Sequence, residues 1–291
     1  MKRIMIVMLV LASMRCLGQL NPMGSQYFQN RYLVNPAMAG ISEGAEFNAA
    51  FKAQWTAIEG SPVMESLSAV YRGVEKKVGF GLSFYNEKAG VIKSTSVKAT
   101  YAFHLPLDEE ESFADFGLSA ALMSQHIDIN KVKGDLEDGS LNNFNNRGAY
   151  FDGDFGAALR IKRFTIQGAV PNLKRFLNRD LEREVADRSL YMSSASYRFP
   201  LGQSEINNLE PLVMYRGVQH FKSILDVGIN LVLSEGNLQA SAVYHSTNSV
   251  TIGVGTVYKG KLKIQAYYTT DTSELKGYSN GEFEIALSLK F

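Results

Sequence analysis

Residues Gly281-Glu282-Phe283-Glu284-Ile285-Ala286-Leu287-Ser288-Leu289-Lys290-Phe291 decide the fold. Apolar side chains take every odd position from Phe283 to Phe291, and Glu282, Glu284, Ala286, Ser288 and Lys290 take the even ones. Successive strand side chains point to opposite faces, so this stretch is a strand with one apolar face and one polar face. On a soluble protein such an edge is an aggregation hazard. In a membrane barrel the same strand turns its apolar face to lipid and pairs its edge with the first strand. The last strand of a secreted sandwich is the alternative reading.

Working outward, the same alternation starts at Gly44. Ala45, Phe47, Ala49, Phe51, Ala53 and Trp55 alternate with Glu46, Asn48, Ala50, Lys52 and Gln54. The run matches the ~9–11 residues of a tilted transmembrane strand. Comparable segments lie near 45–55, 63–72, 77–86, 94–105, 113–125, 149–161, 163–170, 189–199, 209–217, 222–233, 237–245, 249–258, 260–270 and 281–291. The pattern predicts an all-β chain: a transmembrane antiparallel up-and-down β-barrel of about 14 strands, an even number as bacterial barrels require. The domains are expected to be a signal peptide at 1–18, a pre-barrel N-terminal arm at 19–43 and an outer-membrane barrel at 44–291.

The connections support this. With the first strand starting in the periplasm, even-numbered connections are short turns and odd-numbered ones are long outer loops. Gly73 to Lys76, Lys162-Arg163, Ser234 to Asn237 and Lys259-Gly260 are tight and even. His126 to Gly148, Pro171 to Arg188 and Thr270 to Asn280 are the longest and odd. Val218 to Phe221 is odd but short, and Leu105 to Ser112 and Pro200 to Asn208 are even but longer. Tyr71, Tyr101, Phe103, Tyr197, Phe199, Tyr258 and Phe291 fall at strand ends beside even connections or the C-terminus, where an interfacial girdle lies.

Met1 to Gly18 has the form of a secretory signal: Lys2 and Arg3, then an apolar core from Ile4 to Ala12 too short to span. Cleavage after Gly18 starts the mature chain at Gln19. Cys16 leaves a lipoprotein alternative, although Arg15 before it is a poor fit. Removing residues 1–18 takes Lys2, Arg3 and Arg15 from 30 basic residues and leaves 27 against 29 acidic. So near-neutral a chain has no electrostatic footprint for nucleic acid. Mean hydropathy near zero is too polar for a helical membrane protein and suits a barrel with a polar lumen.

Chemistry is sparse in the sequence. The mature chain has no cysteine, so a disulfide framework or thiolate metal site is not expected. His104, His126, His220 and His245 stand apart, without helical ligand spacing. His126-Ile127-Asp128 reads as a loop polar pair. Asp135, Glu137, Asp138, Asp152 and Asp154 collect around the longest loop without the EF-hand spacing and read as solvated charge, with calcium the alternative. Gly79-Phe80-Gly81 and Gly253-Val254-Gly255 read as glycines easing strand curvature. Residues 172–184 have helical spacing of Leu173, Phe176, Leu177 and Leu181. No catalytic residue, metal site or cofactor is assigned; a barrel hydrolase would need a Ser–His–carboxylate set, and no nucleophile motif stands out among the abundant serines.

The arm is turn-rich and carries Ser25-Gln26-Tyr27, Asn30 and Asn35-Pro36-Ala37-Met38-Ala39-Gly40. With Gln54-Trp55, Gly60-Ser61-Pro62, Gly168 to Leu173, Tyr197-Arg198-Phe199 and Leu209 to Leu212, it resembles the PorP/SprF family of outer-membrane proteins associated with type IX secretion and gliding. Lys52 stands where the family pattern has Arg, and the last strand departs from a Gly-Ser-His-Glu pattern. The resemblance implies a bacterial outer-membrane location and a non-enzymatic role in binding, exporting or anchoring a secreted partner with a C-terminal sorting domain, such as an adhesin. Periplasmic secretion components are further candidate partners beside the outer-membrane lipid bilayer. It singles out Gln26, Tyr27, Asn30, Asn35, Pro36, Gly40, Gln54 and Trp55 as partner-binding or lumen-plug candidates. The Asn, Gln and Tyr content of the arm suits a polar lumen. A passive or substrate-selective pore is the alternative function.

Overall fold

The computed structural model describes residues 24–108, 111–132, 139–174, 189–201, 206–218, 222–271 and 279–291. Residues 1–18, expected as a signal peptide with Cys16, the start of the arm, His220, the acids at 135–138 and most of the helically spaced stretch 172–184 lie outside them. The strands run β1 (Gly44–Gln54), β2 (Val63–Arg72), β3 (Val78–Ala89), β4 (Ile92–Pro106), β5 (Phe113–Ile127), β6 (Tyr150–Ile161), β7 (Phe164–Val170) and β8 (Ser189–Tyr197). They continue as β9 (Phe199–Pro200), β10 (Ile206–Val218), β11 (Ile224–Leu233), β12 (Leu238–His245), β13 (Ser249–Tyr258), β14 (Leu262–Thr269) and β15 (Glu282–Lys290). The two-residue β9 prolongs β8 past Arg198, and both pair with β10. Fourteen staves therefore form the wall, each antiparallel to its neighbours in chain order.

The sheet closes. Glu46 stands opposite Lys290, and the register holds through to Gln54 opposite Glu282. Trp55, at φ +50°, adds its backbone N–H to Gly281 O at 2.8 Å and prolongs the seam. Closure matters because an unpaired backbone group in hydrocarbon costs several kcal/mol. Among the described residues no helix is long and apolar enough to cross a membrane; the crossing is made by strands.

The barrel is apolar outside and polar inside. Phe47, Leu67, Leu82, Leu118, Ile252 and Ile285 are all at least half exposed. Their lumen-facing neighbours Asn48, Ser66, Ser68, Thr100, Ser119 and Gln265 are buried. Outward rings gather at both rims. Tyr71, Tyr101, Tyr197, Phe199, Tyr258 and Phe291 lie at one, and Phe151, Tyr191, Tyr215, Tyr244, Tyr268 and Phe283 at the other. Phe47 meets Phe291 edge-on at 5.8 Å, across the closing seam.

Connections 128–149, 171–188 and 270–281 all leave the same end, the loop end. Gly44, Phe291 and the turns 73–77, 162–163 and 259–261 mark the opposite, terminal end. Outer-membrane barrels keep short turns in the periplasm and long loops outside, which orients the two ends. One odd connection departs from expectation. Residues 87–93 do not form a loop, because β3 and β4 pair on through Glu87–Ser94 and Lys88–Lys93. They meet in a turn at Gly90-Val91, where Gly90 takes φ +59° with open space around it.

Candidate functional site

The arm lies inside the barrel. Ser25 N and Gln26 Nε2 donate to the two oxygens of Glu284 on β15, at 2.6 and 2.9 Å. Tyr27 reaches Asp226 on β11, Asn30 Nδ2 donates to Ser68 Oγ on β2, and Tyr32 OH meets Thr100 Oγ1 on β4. Arg31 pairs with Glu210 on β10. Asn35 Nδ2 donates to Gln167 Oε1 on β7 at 3.0 Å. Bonds to strands all round the ring are possible only from the lumen. Glu284 and Thr269, beside Ser25, belong to the loop-end half, and the arm leaves past Gly79 and Tyr71 O at the terminal end. The arm thus descends the lumen before turning into β1.

The Asn-Pro pair sets the local shape. Asn35 Oδ1 accepts from Ala37 N at 3.0 Å and Pro36 supplies a preset φ, starting the 3₁₀ turn Pro36–Met38. Gly40, at φ +69°, turns the chain where Gly79 Cα and Tyr71 O stand 3.0 Å from any added Cβ. A side chain at Gly81 would come within 2.5 Å of the Tyr32 ring, and side chains at Gly117 and Gly156 would overlap Pro36, Ala37 and Asn35. Gly79 and Gly81 therefore give the arm its seat, where the sequence suggests only strand curvature. Gly253 instead makes room for the Tyr267 side chain.

Two matching charge clusters hold the arm, one towards each end. On β4, β5 and β6, Asp115 faces His104 Nδ1 at 2.7 Å and accepts from Arg160 Nε and Nη2 at 2.6 and 2.9 Å. His104 Nε2 meets Ala39 O of the arm at 3.0 Å; a carbonyl only accepts, so this nitrogen is the donor. On β10, β11 and β12, Asp226 faces His245 Nδ1 at 2.7 Å and accepts from Arg216 Nε and Nη2 at 2.7 and 3.1 Å. Tyr27 OH donates to Asp226 at 3.3 Å and accepts from Arg216 at 3.1 Å. In both clusters His and Asp are direct cross-strand partners, and the Arg sits two residues beyond the Asp's partner on the other side. That is the diagonal neighbour within reach of a long side chain. Burial pushes the Tyr27 and Tyr32 phenols above their ordinary range, so both stay protonated.

Thr251, His245 and Asp226 are spaced like a nucleophile–base–acid relay, with Thr251 Oγ1 2.8 Å from His245 Nε2. Thr251 is buried and shares its hydroxyl with Thr269 at 2.7 Å, while Asp226 is engaged by Arg216. The chain of bonds runs on from Thr269 to Ser25 Oγ at 3.5 Å and so ends on the arm. Among the described residues no three His, Cys, Asp or Glu gather around a metal-sized site. Asp152 and Asp154 are not solvated loop charge. Both are buried, and they accept from Lys174 N and Asn172 N, pinning the start of the 171–188 connection.

Of the residues singled out in the sequence, Gln26, Tyr27, Asn30, Asn35, Pro36 and Gly40 come together along the arm. Gln54 and Trp55 do not join them. Gln54, wholly buried in the wall, donates to Glu282 Oε1 at 2.7 Å beside the Lys52–Glu282 pair at 2.5 Å. Sequence reading gave His104 and His245 no role and missed Asp115, Arg160, Arg216 and Asp226; their inward alternating positions were the available signal. Beneath the arm, at the terminal end, a cavity of about 430 Å³ remains.

The model of the family described as type IX secretion system membrane protein PorP/SprF matches residues 17–289. Comparison with curated proteins finds no match. Among solved structures, the Ralstonia pickettii toluene transporter TbuX is similar at 12% identity and a TM-score of 0.55, with 94% of each chain covered. The Acinetobacter baumannii outer membrane protein Omp33 is similar at 7% identity and a TM-score of 0.52, covering 87% of this chain and 100% of that one. At such identities the likeness is one of fold, a closed barrel of the outer-membrane kind.

Proposed function

The chain belongs to the PorP/SprF family of type IX secretion system membrane proteins, and from that premise we propose that it is a non-enzymatic outer-membrane barrel that binds, exports or anchors a secreted partner protein at the cell surface. The partner expected from the family is one with a C-terminal sorting domain, such as an adhesin. The loops at 128–149, 171–188 and 270–281 are the surface offered to it, and the arm is the lumen plug. The observation that carries this reading is the arm's placement, bonded to Glu284, Asp226, Ser68, Thr100 and Gln167 from inside. A lumen occupied by its own chain suits a rigid platform better than an open conduit.

The rival reading is a passive or selective pore, favoured by the cavity left under the arm. Deleting residues 20–40 separates them. On the platform reading the intact barrel conducts little in planar bilayers. The deletion raises conductance and lowers surface retention of the secreted partner, read by pull-down and whole-cell labelling. If neither changes, the arm has no such role. A substrate-dependent current through the intact barrel favours the pore.

A further inference from the structure

The cavity at the terminal end has a wall chemistry that nothing described so far uses. The arm from Phe28 to Tyr32 forms its roof, and Lys261, Lys263, Lys290 and Arg198 stand around it. Lys263 is half-buried, and its Nζ donates to the neutral oxygen of Gln29 at 2.7 Å. Among the described residues no carboxylate pairs with Lys261, Lys263 or Lys290, whereas Lys52, Lys98 and Arg160 elsewhere in the lumen all have one. Two acids, Glu46 and Glu43, share this wall and keep their charge, but the three lysines outnumber them. Glu46 accepts from Asn48 Nδ2 and Ser288 Oγ at 3.1 and 3.3 Å, and Glu43 accepts from Glu75 N at 2.9 Å. Arg31 and Arg198, also on the wall, share Glu210 as their counter-charge.

Like charges converging on a cleft with low-dielectric walls repel one another and focus a field that draws in the opposite charge. Buried Lys52 and Arg216 are neutralised within the fold, whereas half-buried Lys263 has only an amide partner and Lys261 and Lys290 stand exposed at the mouth, so the three lysines mark a place for an anion from outside. We propose that this vestibule binds an acidic peptide segment presented from the periplasm. Its volume lies in the range of ligand pockets, about 300–1,000 Å³. Phe28, Met38, Val70 and Val257 line the same cavity. A compact inorganic anion would leave that apolar wall bare, whereas a chain alternating acidic and apolar side chains covers it. The opening faces the end with the short turns, which is the periplasmic end of such barrels. The inference goes beyond retention of a surface partner and depends only on the barrel and its orientation.

The test uses the full-length barrel in nanodiscs and a fluorescein-labelled Glu-Leu-Glu-Leu-Glu peptide, followed by anisotropy. Saturable binding is expected, weakening as salt rises. The triple variant Lys261→Gln, Lys263→Gln, Lys290→Gln loses at least tenfold in affinity. Lys76→Gln with Lys77→Gln, on another turn at the same end but outside the cavity, leaves it unchanged. Resistance to unfolding in cold SDS verifies each variant; should the triple variant fail to fold, Lys263→Met alone must weaken binding at least threefold. Absence of saturable binding, or equal affinity in the triple variant, overturns the proposal. Lysine-dependent binding of inorganic phosphate without binding of the peptide overturns the peptide assignment. Surface retention of a secreted partner is read in cells and stands or falls separately.

Discussion

Replacing Asp226 by Asn should be among the most damaging single changes in this barrel. Asp226 is wholly buried and accepts from Arg216 twice, from His245 and from Tyr27. An asparagine at this position would keep the shape but offer one neutral acceptor, and its amide hydrogens would face donors. The Arg216 guanidinium, itself only 8% exposed, would lose its counter-charge. Removing one partner of a buried ion pair costs about 3–5 kcal/mol. At about 1.4 kcal/mol per tenfold, that is roughly two to nearly four orders of magnitude in the folding equilibrium. The comparison is Asp128→Asn, whose Lys131 partner is 3.9 Å away on an exposed surface and is expected to change stability by about 1 kcal/mol or less. The assay is urea unfolding of the barrel from detergent micelles, read by fluorescence of the single tryptophan, Trp55. Tyr27→Phe removes only the hydroxyl, about 0.5–1.5 kcal/mol, and its cost should shrink when Asp226→Asn is already present. If Asp226→Asn costs no more than Asp128→Asn, the cluster does not clamp the arm.

Gly117→Val drives a side chain into the Pro36–Ala37 backbone, so the arm should be displaced, with a cost of about 1–3 kcal/mol and faster tryptic cleavage at Arg31. Gly168→Ala, whose Cβ would meet nothing nearer than Met192 O at 3.5 Å, should leave cleavage unchanged. Leu118→Arg places a cation on the lipid face and should destabilise by about 2–4 kcal/mol in the urea assay; a change under about 1 kcal/mol would place that face away from hydrocarbon. Asn35→Ala removes the cap on Ala37 N and the bond to Gln167, and should cost about 1–2 kcal/mol while raising bilayer conductance.

Much of this architecture is legible in the order of residues. The odd-position run from Phe283 to Phe291 and its counterpart from Ala45 to Ala53 form the two strands that meet in the closing seam. The expected strand boundaries fall within a few residues of those observed, except where Glu87 to Lys93 continue pairing around a two-residue turn. Six of the eight residues drawn from the arm and the first strand, Gln26 to Gly40, do meet the barrel wall. Gln54 and Trp55 belong to the seam at the loop end instead.

By itself the sequence determined which side chains face lipid, because alternation along one strand is a local property set by the pleat. It pointed to about fourteen staves for the same reason. Only the tertiary structure decided that the arm runs down the lumen, that Gly81, Gly117 and Gly156 leave it room, and that two His–Asp–Arg clusters grip it. Those contacts depend on the register of several strands at once and join residues as far apart as Ser25 and Glu284. A pairing slipped by one residue would turn Asp226 or His104 out of the lumen, and only the closed ring sets that register.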